Sequence, residues 1–161
     1  MIKKTIGILG ALTILSGLAV GVAQADIKTY PGSMCVVYSG SGDVYNFSAI
    51  GNNSTTTPLK VDCTAVRDTH NSVKSGWIKV QDRHSSQAVE CSMASIYVSG
   101  SGFYGWTSSI RASGGNSANW QTLSFGSLGA NTTSHLYYSC SIPPRTSSGT
   151  SFVGTFQIDE N

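Results

Sequence analysis

Beyond Ala25 the chain consists of short runs rich in Val, Ile, Tyr, Phe and Thr, punctuated by Gly, Asn and Ser clusters, and no long stretch keeps a helical period. That rhythm confines it to β-architectures. The runs predict strands near Met34 to Tyr38, Val44 to Ile50, Pro58 to Ala65, Trp77 to Asp82, Ala88 to Val98, Phe103 to Arg111, Gln121 to Phe125, His135 to Ile142 and Phe152 to Ile158. Nine such strands can bury their apolar faces only in two packed sheets or a barrel. Their separators are turn chemistry, as in Ser39-Gly40-Ser41-Gly42, Gly51-Asn52-Asn53-Ser54, Ser99-Gly100-Ser101-Gly102 and Pro143-Pro144. An all-β, antiparallel, jelly-roll-like sandwich is expected. No linker or repeat divides it, so residues 26–161 are expected to form one domain.

The residues before that region read as a secretory signal. Lys3 and Lys4 give a positive start, Ile6 to Val22 an uncharged apolar stretch, and Ala23-Gln24-Ala25 a small-x-small cleavage site. The expected signal is residues 1–25 and the expected mature start Asp26. An uncleaved anchor is the alternative, but Gly7, Gly10, Gly17 and Gly21 dilute the apolar stretch. A lipid anchor would need a cysteine at the cleavage point, and the first is Cys35. The reading is a secreted or periplasmic protein with no membrane contact after signal removal.

Ten Lys and Arg face eight Asp and Glu; without Lys3 and Lys4 the two signs balance. Nucleic acid is therefore not an expected partner, because its binding needs clustered basic residues against phosphates, and anionic membrane surfaces are disfavoured for the same reason. All four cysteines, Cys35, Cys63, Cys91 and Cys140, lie in the mature part. An even number in an exported chain implies two disulfides, with three connectivities open. Their spacing fits no zinc site. Period two places Cys63 with Leu59, Val61 and Ala65, Cys91 with Val89 and Met93, and Cys140 with Leu136, Tyr138 and Ile142, so three cysteines point inward. A bridge between strong strands is then expected for Cys91 and Cys140, leaving Cys35 to tie the N-terminal end onto Cys63.

The segments Pro31-Gly32-Ser33-Met34-Cys35, Val61-Asp62-Cys63, Val66-Arg67-Asp68, Val80-Gln81-Asp82, Val89-Glu90-Cys91, Gln121 to Gly126, Tyr138-Ser139-Cys140-Ser141-Ile142-Pro143-Pro144 and Ile158-Asp159-Glu160 cover most of the mature chain. Together they resemble a group of exported bacterial disulfide-containing β-domain proteins of uncharacterised activity. The resemblance implies the disulfide β-domain and no function. Thr64 departs from it, standing where the group has proline after the second cysteine.

Three sets of residues carry candidate chemistry. Asp68-x-His70 and Asp82-x-His84 each project a carboxylate and an imidazole to one side of an extended segment, and two such pairs meeting could hold a divalent ion. Both fall at strand ends beside Arg67 and Arg83, which favours ordinary polar turns. No Gly-x-Ser-x-Gly elbow occurs, and Asp62, Asp68, Asp82 and Glu90 are spread over different elements, so neither a triad nor a glycosidase pair can be read. No cofactor motif is present and none is expected. Tyr104 and Trp106 share one strand face and Trp120 stands at a strand start; exposed, these rings could stack on sugars, but packing in the core is the favoured reading. Asp26 to Tyr30 could serve as an arm added to a neighbour's sheet edge. The resulting expectation is a non-enzymatic exported β-sandwich with a structural or binding role at or outside the cell envelope. A glycan or another envelope protein is the partner class it allows; a carbohydrate-binding module and a metal-dependent hydrolase are the alternatives.

Overall fold

The computed structural model describes residues 27–45, 48–68 and 72–160, so the expected signal and its cleavage site lie outside the described residues. Twelve strands occur in chain order: β1 (Ile27–Tyr30), β2 (Cys35–Ser39), β3 (Gly42–Tyr45), β4 (Ala49–Asn52), β5 (Leu59–Ala65), β6 (Ser75–Gln81), β7 (Glu90–Ser99), β8 (Gly102–Thr107), β9 (Arg111–Ala112), β10 (Gln121–Phe125), β11 (His135–Ile142) and β12 (Phe152–Asp159). They build two antiparallel sheets packed as a sandwich. The first runs β10-β6-β12-β4-β3, with β1 beside β12 beyond the end of β4; the second runs β2-β5-β11-β7-β8, with β9 on β7. Among the described residues no helix is long and apolar enough to cross a membrane.

Three departures raise nine expected strands to twelve. Val44 to Ile50 is the hairpin β3-β4, with Tyr45 opposite Ala49 and Ser48 in the left-handed region at φ 55°. The turn-favouring residue types in this stretch, Asn46 and Ser48, stand in the sequence among strong β-formers. Phe103 to Arg111 divides because β8 leaves the ladder at Ser108, whose hydroxyl accepts the Met93 N–H at 2.9 Å, and β9 rejoins β7 further on. Finally, Ile27–Tyr30 is a strand of the chain's own sheet, not a free arm. Tyr30 stacks on Phe156 with centroids 5.2 Å apart, its hydroxyl donates to the Val66 carbonyl at 2.9 Å, and Lys28 pairs with Asp68 at 2.5 Å.

The core follows from alternation. Leu59, Val61 and Cys63 of β5, Cys91 and Met93 of β7, and Leu136, Tyr138, Cys140 and Ile142 of β11 meet Ile78, Val80, Leu123, Phe125, Val153, Phe156 and Ile158 of the other sheet. Burying each large apolar side chain contributes about 1.5–3 kcal/mol. Disulfides join Cys35 to Cys63, opposite each other on β2 and β5, and Cys91 to Cys140, opposite on β7 and β11. Each therefore links adjacent strands within the second sheet. The sheets themselves are joined by Tyr138, whose hydroxyl donates to the Gln157 carbonyl at 2.7 Å.

Candidate aromatic binding sites

β8 pairs with β7 so that Trp106 stands opposite Ser95 and Tyr104 opposite Tyr97. Ser95 itself lies opposite the buried Leu136, so both rings lie on the inward face of the second sheet, as their alternation with Phe103 requires. They are nevertheless not core residues. Tyr104 is 53% and Trp106 41% exposed, which overturns the expectation of core packing. That expectation identified the face correctly; it could not identify where the covering sheet ends.

Each ring has the same support. Tyr104 lies over Gly102, where an added Cβ would come within 3.0 Å of three of its phenol atoms, and the Trp106 indole lies on Gly129, where the same construction gives 2.8 Å to Nε1 and Cε2. A glycine leaves room for a ring to approach backbone closely. Tyr97 completes the row, with its centroid 5.8 Å from Tyr104 and 5.9 Å from Trp106, tilted 30° and 31°. The loop holding Gly129 is tied down in turn. Arg67 Nη1 donates to the Asn131 carbonyl at 2.8 Å while its Nε donates to Glu160 at 2.8 Å, with both side chains nearly or fully buried.

Trp120 stands apart from this row, immediately before β10 of the first sheet. It too is exposed, at 43%, and rests on a glycine: a Cβ on Gly154 would meet its six-membered ring at 2.7 Å. Trp120, Gly154, Thr155 and Lys79 line a cavity of about 270 Å³. The structure thus separates the three sequence-identified rings into two places. Tyr97, Gly129 and Gly154 carry no such signal in the sequence; Gly102-x-Tyr104 is the one legible support, because glycine and ring share a strand face.

The outer face of the second sheet carries a polar trough of about 180 Å³ between Tyr38 and Ile110, floored by Ser92, Ser139 and Ser141. Beside it Asp62 has a buried Oδ1 without a hydrogen-bond partner. Burial pushes its carboxyl above the usual range, and a hydrogen bond from Ser139 works against that.

The Asp and His pairs have local partners where they can be seen. Asp82 is fully buried, its Oδ1 accepting the His84 N–H at 2.9 Å and the Ser151 hydroxyl at 3.3 Å, its Oδ2 the Ser113 hydroxyl at 2.6 Å. His84 Nδ1 accepts the Ser86 and Gln87 N–H groups at 3.1 and 2.9 Å. Asp68 pairs with Lys28, and His70 lies outside the described residues. Among the described residues no group of three or more His, Cys, Asp or Glu is placed to hold a metal.

Several solved structures share this fold. A family two carbohydrate esterase from Cellvibrio japonicus is similar over 86% of this chain at TM-score 0.51 and 9% identity, with the chain spanning only 35% of that protein. The CBM36-1 domain of a multidomain xylanase from the hindgut metagenome of Trinervitermes trinervoides is similar over 84% of this chain and 98% of its own length, again at TM-score 0.51 and 9% identity. No family model matches the chain and no curated protein is significantly similar to it.

Proposed function

We propose that this chain is an exported, non-enzymatic β-sandwich that binds glycans, cleaved after Ala25 and presenting Tyr97, Tyr104 and Trp106 to sugar rings. One observation carries the reading: exposed aromatic rings rest on glycines, Tyr104 on Gly102 and Trp106 on Gly129. A ring held flat from below and open above loses little freedom when a sugar stacks on it, and that preorganisation favours binding. The fold it shares with the carbohydrate-binding domain of a xylanase supports the same class.

The test is affinity electrophoresis of the mature protein through gels containing neutral polysaccharides, with xylan, β-galactan, mannan and cellulose derivatives as the panel. Retardation is expected in at least one gel, and Trp106→Ala should weaken it roughly tenfold, equivalent to about 1.4 kcal/mol. If none of these gels slows the protein, or if Trp106→Ala and Tyr104→Ala migrate as the parent does, the reading fails.

A further inference from the structure

On the outer face of the first sheet, β12 opposes β6 with one residue too many. Val153 pairs with Val80 and Phe156 with Ile78, so Gly154 and Thr155 together face the single Lys79. Such a bulge bends the strand and re-aims its side chains. Here it brings Gly154 beneath the Trp120 ring and sets Thr155 beside Lys79 at the cavity. Gln81, next outward on β6 after Lys79, donates to the Ala118 carbonyl and so fixes the segment leading into Trp120. Trp77, one outward position before Lys79, has the Lys79 ammonium 6.0 Å from its ring centroid. Lys79 therefore lines the cavity together with Trp120 while its ammonium lies by the Trp77 ring.

Its electrostatic setting is one-sided. The outward positions of β6, β10 and β12 include Ser75, Trp77, Lys79 and Gln81; Thr122 and Ser124; and Phe152, Thr155, Gln157 and Asp159. Asp159 is the single carboxylate among them. It lies opposite Ser75, two outward positions along β6 from Lys79, and accepts the Ser75 hydroxyl at 3.4 Å. Among the described residues Lys79 has no ion pair.

We infer that the cavity between Trp120 and Lys79 is a subsite for a carboxylated sugar ring, a uronic acid unit of a polysaccharide. Trp120 offers a stacking surface to the apolar side of the ring. Lys79 meets the carboxylate, and the Thr155 hydroxyl takes up a ring hydroxyl. A carboxylate beside an ammonium and hydroxyl groups beside threonine satisfy the polar groups that stacking would otherwise desolvate. The inference rests on the glycan reading for its ligand class, but uses a different sheet and different residues.

Isothermal titration with trigalacturonate, hyaluronan oligomers and alginate oligomers tests it, each beside its carboxyl-reduced neutral form. At least one acidic oligomer is expected to bind, and its affinity should fall roughly fivefold or more on carboxyl reduction, on Lys79→Gln, and on raising salt from about 0.05 to 0.5 M. Trp120→Ala should abolish the binding, and Phe103→Ala, an exposed position on the other sheet outside both sites, should leave it unchanged. Failure of all three acids, equal affinity for a reduced form, or indifference to Lys79→Gln would overturn the subsite. Such failure alongside Trp106-dependent retardation by a neutral polysaccharide would leave the aromatic row standing; acid binding without that retardation would support the subsite and overturn the row.

Discussion

Gly129 lies against the indole of Trp106, so near that a Cβ added to it would stand 2.8 Å from the ring nitrogen. The loop supplying Gly129 is tied at Asn131 by Arg67, which also binds Glu160 at the other end of the described chain. A surface ring on β8 is therefore positioned by packing, through a buried ion pair from a distant part of the sequence.

Gly129→Ala tests this positioning. The new methyl cannot fit beneath the ring, so the indole must turn or the loop must lift, at a cost of about 1 kcal/mol or somewhat more. The expected outcome is a shift in Trp106 emission and a several-fold loss of polysaccharide affinity in a variant that still folds. Fluorescence and affinity electrophoresis check it; parental values in both would show that the glycine does not hold the ring.

The Tyr138 hydrogen bond between the sheets gives a second prediction. Tyr138→Phe removes the hydrogen bond to the Gln157 carbonyl in a buried setting, so urea unfolding should show a loss of about 1–2 kcal/mol with an unchanged slope. Gly76→Ala should cost more, because its Cβ would fall 1.9 Å from the Tyr138 hydroxyl. Combined with Tyr138→Phe the glycine change should become milder by about 1 kcal/mol, since the obstructing oxygen is gone. Simple additivity would show that the hydroxyl is not what excludes a side chain at Gly76.

Much of this architecture was legible because alternation is local. Gln121–Phe125 and His135–Ile142 have the bounds read from sequence, and Cys91 and Cys140 face each other because each lies on the apolar face of one of two paired strands. What escaped depends on contacts distant in sequence. Ile27–Tyr30 barely alternates, and becomes a strand because Tyr30 reaches Phe156 and Val66. Trp106 looks like a core residue by periodicity, and its exposure is set by how far the opposite sheet extends. Gly154 acquires its role only through a bulge, which no spacing in the sequence announces.

The two disulfides should differ in a definite order. All four sulfurs are on buried residues, so replacing either pair by alanine disturbs packing similarly and leaves the closed loop as the main difference. The separations are 28 residues for Cys35–Cys63 and 49 for Cys91–Cys140. In the chain-entropy treatment each bridge contributes about 4 kcal/mol, the longer loop by about 0.5 kcal/mol more. Urea titration of Cys35→Ala/Cys63→Ala against Cys91→Ala/Cys140→Ala measures the order. A reversed order would mean that strain or residual unfolded structure outweighs loop closure.

Asp62 should make the fold less stable as pH rises. Its carboxyl titrates above the ordinary value of 3.8 because burial disfavours the charge, with the Ser139 hydrogen bond only partly opposing this. Between the unfolded and folded values the native state therefore holds a proton that the unfolded chain has released, so stability declines with increasing pH across that window. Below 3.8 both states are protonated and the penalty vanishes; above the folded value it is fully present and constant. The unpartnered Oδ1 is the physical source, being a carboxylate oxygen removed from water with nothing donating to it. Asp62→Asn keeps an acceptor for Ser139 and carries no charge. It should unfold at higher urea than the parent at pH 7, with the advantage shrinking as pH falls towards 4. Paired urea titrations at the two pH values decide the matter, and an advantage that is absent at pH 7 or does not change with pH would show that the Asp62 charge is not penalised in the folded state.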